Sequence, residues 1–87
     1  MAILVDEAHW PWRGLLWCHL VSDASLEELH SFAAWIGAPR RAFQGDHYDI
    51  PAHLREIALE EGAVATSSRE VVLALYAAGL RLPPSAR

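Results

Sequence analysis

The chain has 87 residues, of which 53% are apolar, and a formal net charge of -4. That makes one small domain with a packed core and rules out a disordered chain, while the negative balance argues against general nucleic-acid binding. The single cysteine, Cys18, excludes an intrachain disulfide and a cysteine-rich zinc site.

The opening "MAILVDEAHW" lacks a basic region followed by a long apolar run, so it does not read as a signal peptide. No segment approaches the roughly 20 apolar residues of a membrane span. The expectation is a cytoplasmic protein with no membrane partner. Ile3, Leu4 and Val5 suit a buried strand that ends at Asp6. "HWPWRG", His9 to Gly14, reads as a loop because of Pro11 and Gly14. It belongs to a tryptophan-dense stretch: Trp10, Trp12 and Trp17 lie close together, and Trp35 is the fourth. Each tryptophan brings a large apolar area and one N–H that needs a partner. A domain this small also gains from burial between subunits, so a homodimer that uses this loop is an expectation.

"LLWCHLVS", residues 15–22, is the second strand, with Trp17, His19 and Val21 on one face and Cys18, Leu20 and Ser22 on the other. If the first two strands are parallel, Asp6 and Asp23 emerge at one edge; the short connection makes antiparallel pairing, which separates them, an open alternative. "SLEELHSFAAWIG" is a helix, with a capping box of Ser25 and Glu28, an apolar stripe of Leu29, Phe32, Ala33 and Ile36, and an exit at Gly37. "RRAFQGDHYDI" reads as an irregular strand kinked at Gly45. Asp49 or its neighbour can cap the next helix, which has Pro51 in its first turn and runs to Glu61, burying Leu54, Ile57 and Ala58. "AVAT" is a short strand. Ser67 and Glu70 form a second capping box, opening a helix that ends near Gly79, with a stripe of Val71 or Val72, Leu75, Tyr76 and Ala78. Strands alternating with helices point to a single α/β domain over residues 1–82, a sheet of three or four strands packed by three helices, with a loose tail over 83–87.

The stretch that packing does not explain is "GDHYDIP". In an extended segment His47 and Asp49 point to one side and Tyr48 to the other. Such a pair can share a metal or a proton; the bland alternative makes Asp49 a helix cap and leaves His47 exposed. His19 sits inside a strand, where an interior histidine with a satisfied partner is the commoner case, and Asp23 reads equally as a turn residue. The basic residues are all arginine, planar forks suited to carboxylate or phosphate. Arg13, Arg40 and Arg69 are the candidates for binding an anion. Arg41 reads as a solvated charge, and His9, His30 and His53 as surface or edge residues. There is no Gly-rich phosphate loop, no "HExxH" and no Gly-x-Ser-x-Gly elbow. Cys18 and His19 are adjacent on a strand and point apart, so they do not make a nucleophile–base pair.

The segments "VDEAHWPWRG", "WCHLVSD", "LEELHSFAAWIGAPRRAF", "HYDIP" and "GAVATSSRE" resemble the small bacterial and phage domain-of-unknown-function family 4031, from about Val5 to Arg81. The hallmark of that resemblance is the triplet His47, Tyr48 and Asp49. It implies no activity, but a hallmark of three polar residues is hard to account for as one helix cap. The expected function is therefore a polar pocket lined by Asp6, Arg13, His19, Asp23, Arg40, His47, Tyr48, Asp49 and Arg69. It would take a small anionic ligand such as a phosphate-bearing nucleotide, with a divalent metal on His47, Asp49 and one of His19 or Asp6 for phosphoester hydrolysis. With one cysteine the donors are nitrogen and oxygen, which suit zinc, manganese, iron or nickel. The alternative is a non-catalytic interaction or oligomerisation module built on the tryptophan-rich loop.

Overall fold

A computed structural model describes residues 2–82, so the tail expected over 83–87 lies outside the described residues. The elements are β1 (Ile3–Val5), β2 (Trp10–Trp12), β3 (Leu15–Ser22), α1 (Leu26–Ile36), a 3-10 turn (Arg40–Ala42), β4 (Tyr48–Pro51), α2 (Ala52–Glu60), β5 (Val64–Ala65) and α3 (Ser68–Ala77). This is an α/β domain with a mixed sheet of five strands. Among the described residues no helix is long and apolar enough to cross a membrane.

The added strand is β2, where the sequence suggested a loop. Arg13 and Gly14 both take positive φ, 50° and 76°, and Trp12 pairs with Leu15 across them. Two left-handed residues between paired strands make the hairpin turn whose twist matches that of β-strands. Pro11 is tolerated because β2 is an outer strand and its missing N–H faces no partner.

β3 is the centre of the sheet. Leu20 pairs with both Val5 and Tyr48, and Trp17 with both Trp10 and Pro51. β4 therefore runs along one edge of β3, and β1 followed by β2 along the other. β1 is antiparallel to β3, and β5 adds to β1 in parallel. Val5 pairs with Leu20 but Trp10 with Trp17, so Asp6, Glu7, Ala8 and His9 stand opposite only Cys18 and His19. The extra residues form a bulge, which re-aims Asp6.

Strand alternation then divides the chemistry. Cys18, Leu20, Tyr48 and Ile50 are buried with Leu29, Ala33 and Ala58 in the main core, beneath α1 and α2. On the opposite face, Val21 packs with Val71 and Leu75 of α3. His19 and Asp49, directly paired across β3 and β4, share this second face. α3 packs over the Val21 end of it, and its residues Ser68, Val71, Val72 and Leu75 line a small pocket with His19 and His47.

The helix signals hold, with local differences. Ser25 accepts the Glu28 N–H, and Gly37 closes α1 at φ 89°. The Glu28 carboxylate does not return to the Ser25 N–H; it accepts from the Ser22 hydroxyl, whose oxygen receives the Ala24 and Ser25 N–H groups instead. Ser67 caps α3 in the same way, while Glu70 accepts from Thr66. α2 begins differently: Pro51 is its N-cap with no side-chain cap bond, and Asp49 is a strand residue. The cap expected of Asp49 is overturned because β4 pairing with β3 continues through Pro51 and keeps Asp49 extended. Ile57 is 39% exposed, so the stripe that α2 turns to the core is Leu54, Ala58 and Leu59.

Gly14→Ala should lower stability by about 1–2 kcal/mol, the cost of a Cβ in a left-handed conformation, read as a lower urea midpoint at unchanged slope. An unchanged midpoint would show that the turn tolerates a side chain.

Candidate metal centre

The site begins with Asp6, which is fully buried. A buried carboxylate needs hydrogen bonds on both oxygens. The His19 backbone N–H donates to Oδ1 at 2.6 Å, and the His19 ring Nδ1 and the Ser68 hydroxyl donate to Oδ2 at 2.7 and 2.8 Å. Arg55 of α2 donates through Nε to the Asp6 carbonyl oxygen at 2.7 Å. Asp6 thus ties the bulge to β3, α2 and α3.

These contacts set the electrostatics. Burial alone would raise the Asp6 pKa, but the hydrogen bonds from the His19 ring and backbone and from Ser68 outweigh it, and the carboxyl ends below its ordinary value. The hydrogen bond to Asp6 raises the pKa of His19, against the opposing effect of burial. With Nδ1 held by Asp6, the nitrogen left for a ligand is Nε2.

His47 is held in the same way. Its Nδ1 lies 2.7 Å from Asp46 Oδ1, and Asp46 is gripped by Arg81 through Nε at 2.7 Å and Nη2 at 3.0 Å. Burial would raise the Asp46 pKa, yet the bonds from Arg81 and His47 leave it lowered. The His47 Nε2 lies 3.2 Å from Asp49 Oδ1. The His19 and His47 rings meet edge to face at 5.1 Å. Ligand-capable atoms of His19, His47 and Asp49 all lie within 4.8 Å of one another. Two imidazoles, each with Nδ1 fixed by a carboxylate, plus one further carboxylate, form the arrangement by which proteins orient metal-binding histidines.

Beside the centre runs an open groove of about 910 Å³, which includes Trp10, Asp49 and His53 in its walls. Trp10 also packs against the His19 ring at 4.6 Å, so one indole borders both features.

The family comparison adds an identity of descent. Residues 3–78 match the family described as "Protein of unknown function (DUF4031)". The chain belongs to this family. No curated protein and no solved structure matches it. For a member of this family, the geometry itself has to supply the functional argument.

Of the residues singled out from the sequence, the fold brings together His19, His47 and Asp49, with Asp6 directly behind His19. Tyr48 points the other way: it is buried, and its hydroxyl is hydrogen-bonded to His30 Nδ1 at 2.7 Å. Asp23 is at the far end of the sheet, because β1 and β3 are antiparallel, and there it accepts the Ala2 N–H at 2.7 Å. Arg40 stacks over Phe43, and Arg13, at the hairpin turn, over Trp12. Arg69 is an exposed residue in the first turn of α3. Arg41, read as a solvated charge, lines the groove together with Arg13.

Sequence reasoning missed Asp46, Ser68, Arg55 and Arg81. Asp46 was the detectable one, since it directly precedes the His-Tyr-Asp triplet. Ser68 was masked by the cap at Ser67. Arg81 stands far from the triplet in the chain, and no spacing signals its approach to Asp46.

The Asp6–His19 pair predicts the pH response of metal-free protein. A raised histidine pKa contributes stability that is full below the unfolded value of about 6.5 and is lost as pH rises through the folded value. A lowered aspartate pKa contributes stability above about 3.8 that is lost as pH falls through the folded value. Thermal midpoints of chelated protein should therefore peak between these limits and decline toward pH 9, and Asp6→Asn should flatten the alkaline decline. A wild-type curve that is level from pH 6 to 9 contradicts the pairing.

Proposed function

We propose that this protein binds one divalent metal ion through His19, His47 and Asp49 and uses it to hydrolyse a phosphoester in a small anionic ligand. The observation that carries the reading is the convergence of those three donors within 4.8 Å, with both Nδ1 atoms already held by carboxylates. Two histidines and a carboxylate are a donor set found in zinc hydrolases, and three protein donors leave room for water and substrate. The ion would lower the pKa of a bound water into the neutral range. In such a hydrolysis, water would form one P–O bond as the bond to the leaving alcohol breaks and the alcohol takes up a proton.

The chain's own residues divide the remaining work. Asp6 and Asp46 fix the ring orientations of His19 and His47, and Arg81 fixes Asp46. Asp6 is fully buried and its oxygens are occupied, which makes it a positioning residue and not a ligand. Arg13 and Arg41, both in the groove wall, supply positive charge for an anionic substrate.

Calorimetry with zinc, manganese, iron(II) and nickel on chelator-stripped protein should show one site for at least one of these ions. His47→Ala and Asp49→Ala should lose that heat and the accompanying thermal shift, and His53→Ala should keep both. Affinity should fall on acidification, because protons compete for His19, whose pKa stands above its ordinary value. No heat and no shift with any of the ions overturns the reading. Binding without hydrolysis of p-nitrophenyl phosphate esters retains the metal site and overturns the reaction.

A second reading has its own observation. The hairpin exposes apolar side chains on both faces, with Trp12 at 54% and Leu16 at 48%. A homodimer through this hairpin would cover them. Light scattering should then give a dimer that Leu16→Glu dissociates; a monomer at high concentration refutes it without touching the metal reading.

A further inference from the structure

The metal centre accounts for the two histidines and Asp49, but not for the groove beside them. Trp10, Trp12 and Trp17 all belong to the β2–β3 hairpin, and strand alternation places them on one face of it. They are the same tryptophans that make the sequence so aromatic in this stretch. Their arrangement is built: Trp17 donates its indole N–H to the Trp12 carbonyl oxygen at 2.8 Å, and the Trp12 and Trp17 rings lie 5.3 Å apart. Trp12 nonetheless keeps 54% of its surface exposed. A small domain that holds large indoles in order at the rim of a cavity leaves stacking area for a flat partner.

The charges in the groove point to the nature of that partner. Arg13 and Arg41 both line it, and neither is in an ion pair with a carboxylate among the described residues. Arg81, by contrast, is consumed by Asp46. The guanidinium of Arg13 lies over the Trp12 ring at 4.6 Å, which fixes a cation against the stacking surface. Two unpaired planar cations beside indoles complement a phosphate attached to an aromatic ring system. The groove volume of about 910 Å³ falls within the range of small-molecule sites, about 300–1000 Å³. The net charge of -4 disfavours a long polyanion as the occupant. Asp49 lies in the groove wall and Trp10 touches His19, so the groove borders the proposed metal centre, whose two histidines line a separate small pocket with α3.

We infer that the groove binds a nucleoside phosphate, its base stacked on the hairpin tryptophans and its phosphate held by Arg13 and Arg41. This rests on the metal-centre reading only for what happens to the phosphate; the recognition itself needs no ion. It narrows the substrate from a phosphoester in general to one carrying a nucleobase.

The test is tryptophan fluorescence of the chelator-stripped protein in a Trp35→Phe background. Trp35 is 74% exposed on α1 and lies outside the groove, so its removal leaves only the groove indoles as reporters. Adenosine 5′-monophosphate should quench saturably, and more tightly than adenosine or inorganic phosphate alone. Trp12→Ala should weaken it about ten-fold, within the range for loss of one stacking contact. Arg41→Gln should weaken the monophosphate while leaving adenosine unchanged, a split that a damaged fold would not produce. Quenching by the monophosphate with no metal bound in calorimetry leaves the groove assignment standing and removes the metal centre. Metal binding without monophosphate quenching does the reverse. Equal affinity for adenosine and its monophosphate overturns the proposal, as does indifference to both substitutions. A twelve-residue single strand binding in place of the monophosphate overturns the assignment to a small ligand. So does quenching by protein concentration alone, which would mark a second copy as the occupant.

Discussion

The structure depends on a carboxylate with no access to water. Asp6 ends the first strand, and an ionised group there is tolerable only if every lone pair that matters is met. Three donors meet it, from the His19 backbone, the His19 ring and Ser68, while Arg55 takes the adjacent carbonyl. The donors come from β3, α2 and α3, so satisfying this one residue fixes the bulge, the central strand and two helices relative to one another. Removing the charge would weaken the ties to β3 and α3 and leave the Arg55 bond to the carbonyl in place; removing a side-chain donor would leave a buried carboxylate short of a partner.

The same device is used twice. Asp46 does for His47 what Asp6 does for His19, with Arg81 in place of the buried setting. The His47 Nε2 approaches Asp49, and a ring nitrogen of His19 lies within 4.8 Å of the ligand atoms of both. Under the proposed reading, a cation between the two rings would accept their lone pairs. The sheet supplies the alignment: His19 and Asp49 are cross-strand partners, and His47 stands two residues before Asp49 on the same face. The groove follows from the same hairpin, because the strand that carries His19 also carries Trp17, and its partner strand carries Trp10 and Trp12.

Much of this was legible in the sequence where a local rule decides. The face division of residues 15–22 follows from strand periodicity, and both helix starts were written in serine–glutamate spacing. The opposition of His47 and Asp49 to Tyr48 followed from the same alternation and needed no tertiary knowledge. What failed was what depends on pairing. Pro11 and Gly14 read as loop residues because an edge strand and a left-handed turn look alike in composition. The cap alternative for Asp49 stayed open because nothing local shows that pairing with β3 extends to Pro51. Asp23 was grouped with Asp6 only under parallel pairing, and the antiparallel register separates them. Asp46 and Arg81 meet only through folding, which is why the support of His47 was invisible while His47 itself was not.

The central claim is that His19, His47 and Asp49 hold one divalent ion. Anomalous diffraction from a crystal of zinc-loaded protein locates the ion without reference to any activity. The account predicts a single strong peak about 2.0–2.2 Å from Nε2 of His19, Nε2 of His47 and a carboxylate oxygen of Asp49, with both Nδ1 atoms still on Asp6 and Asp46. A zinc peak elsewhere in the molecule, with none among these three side chains, would contradict it.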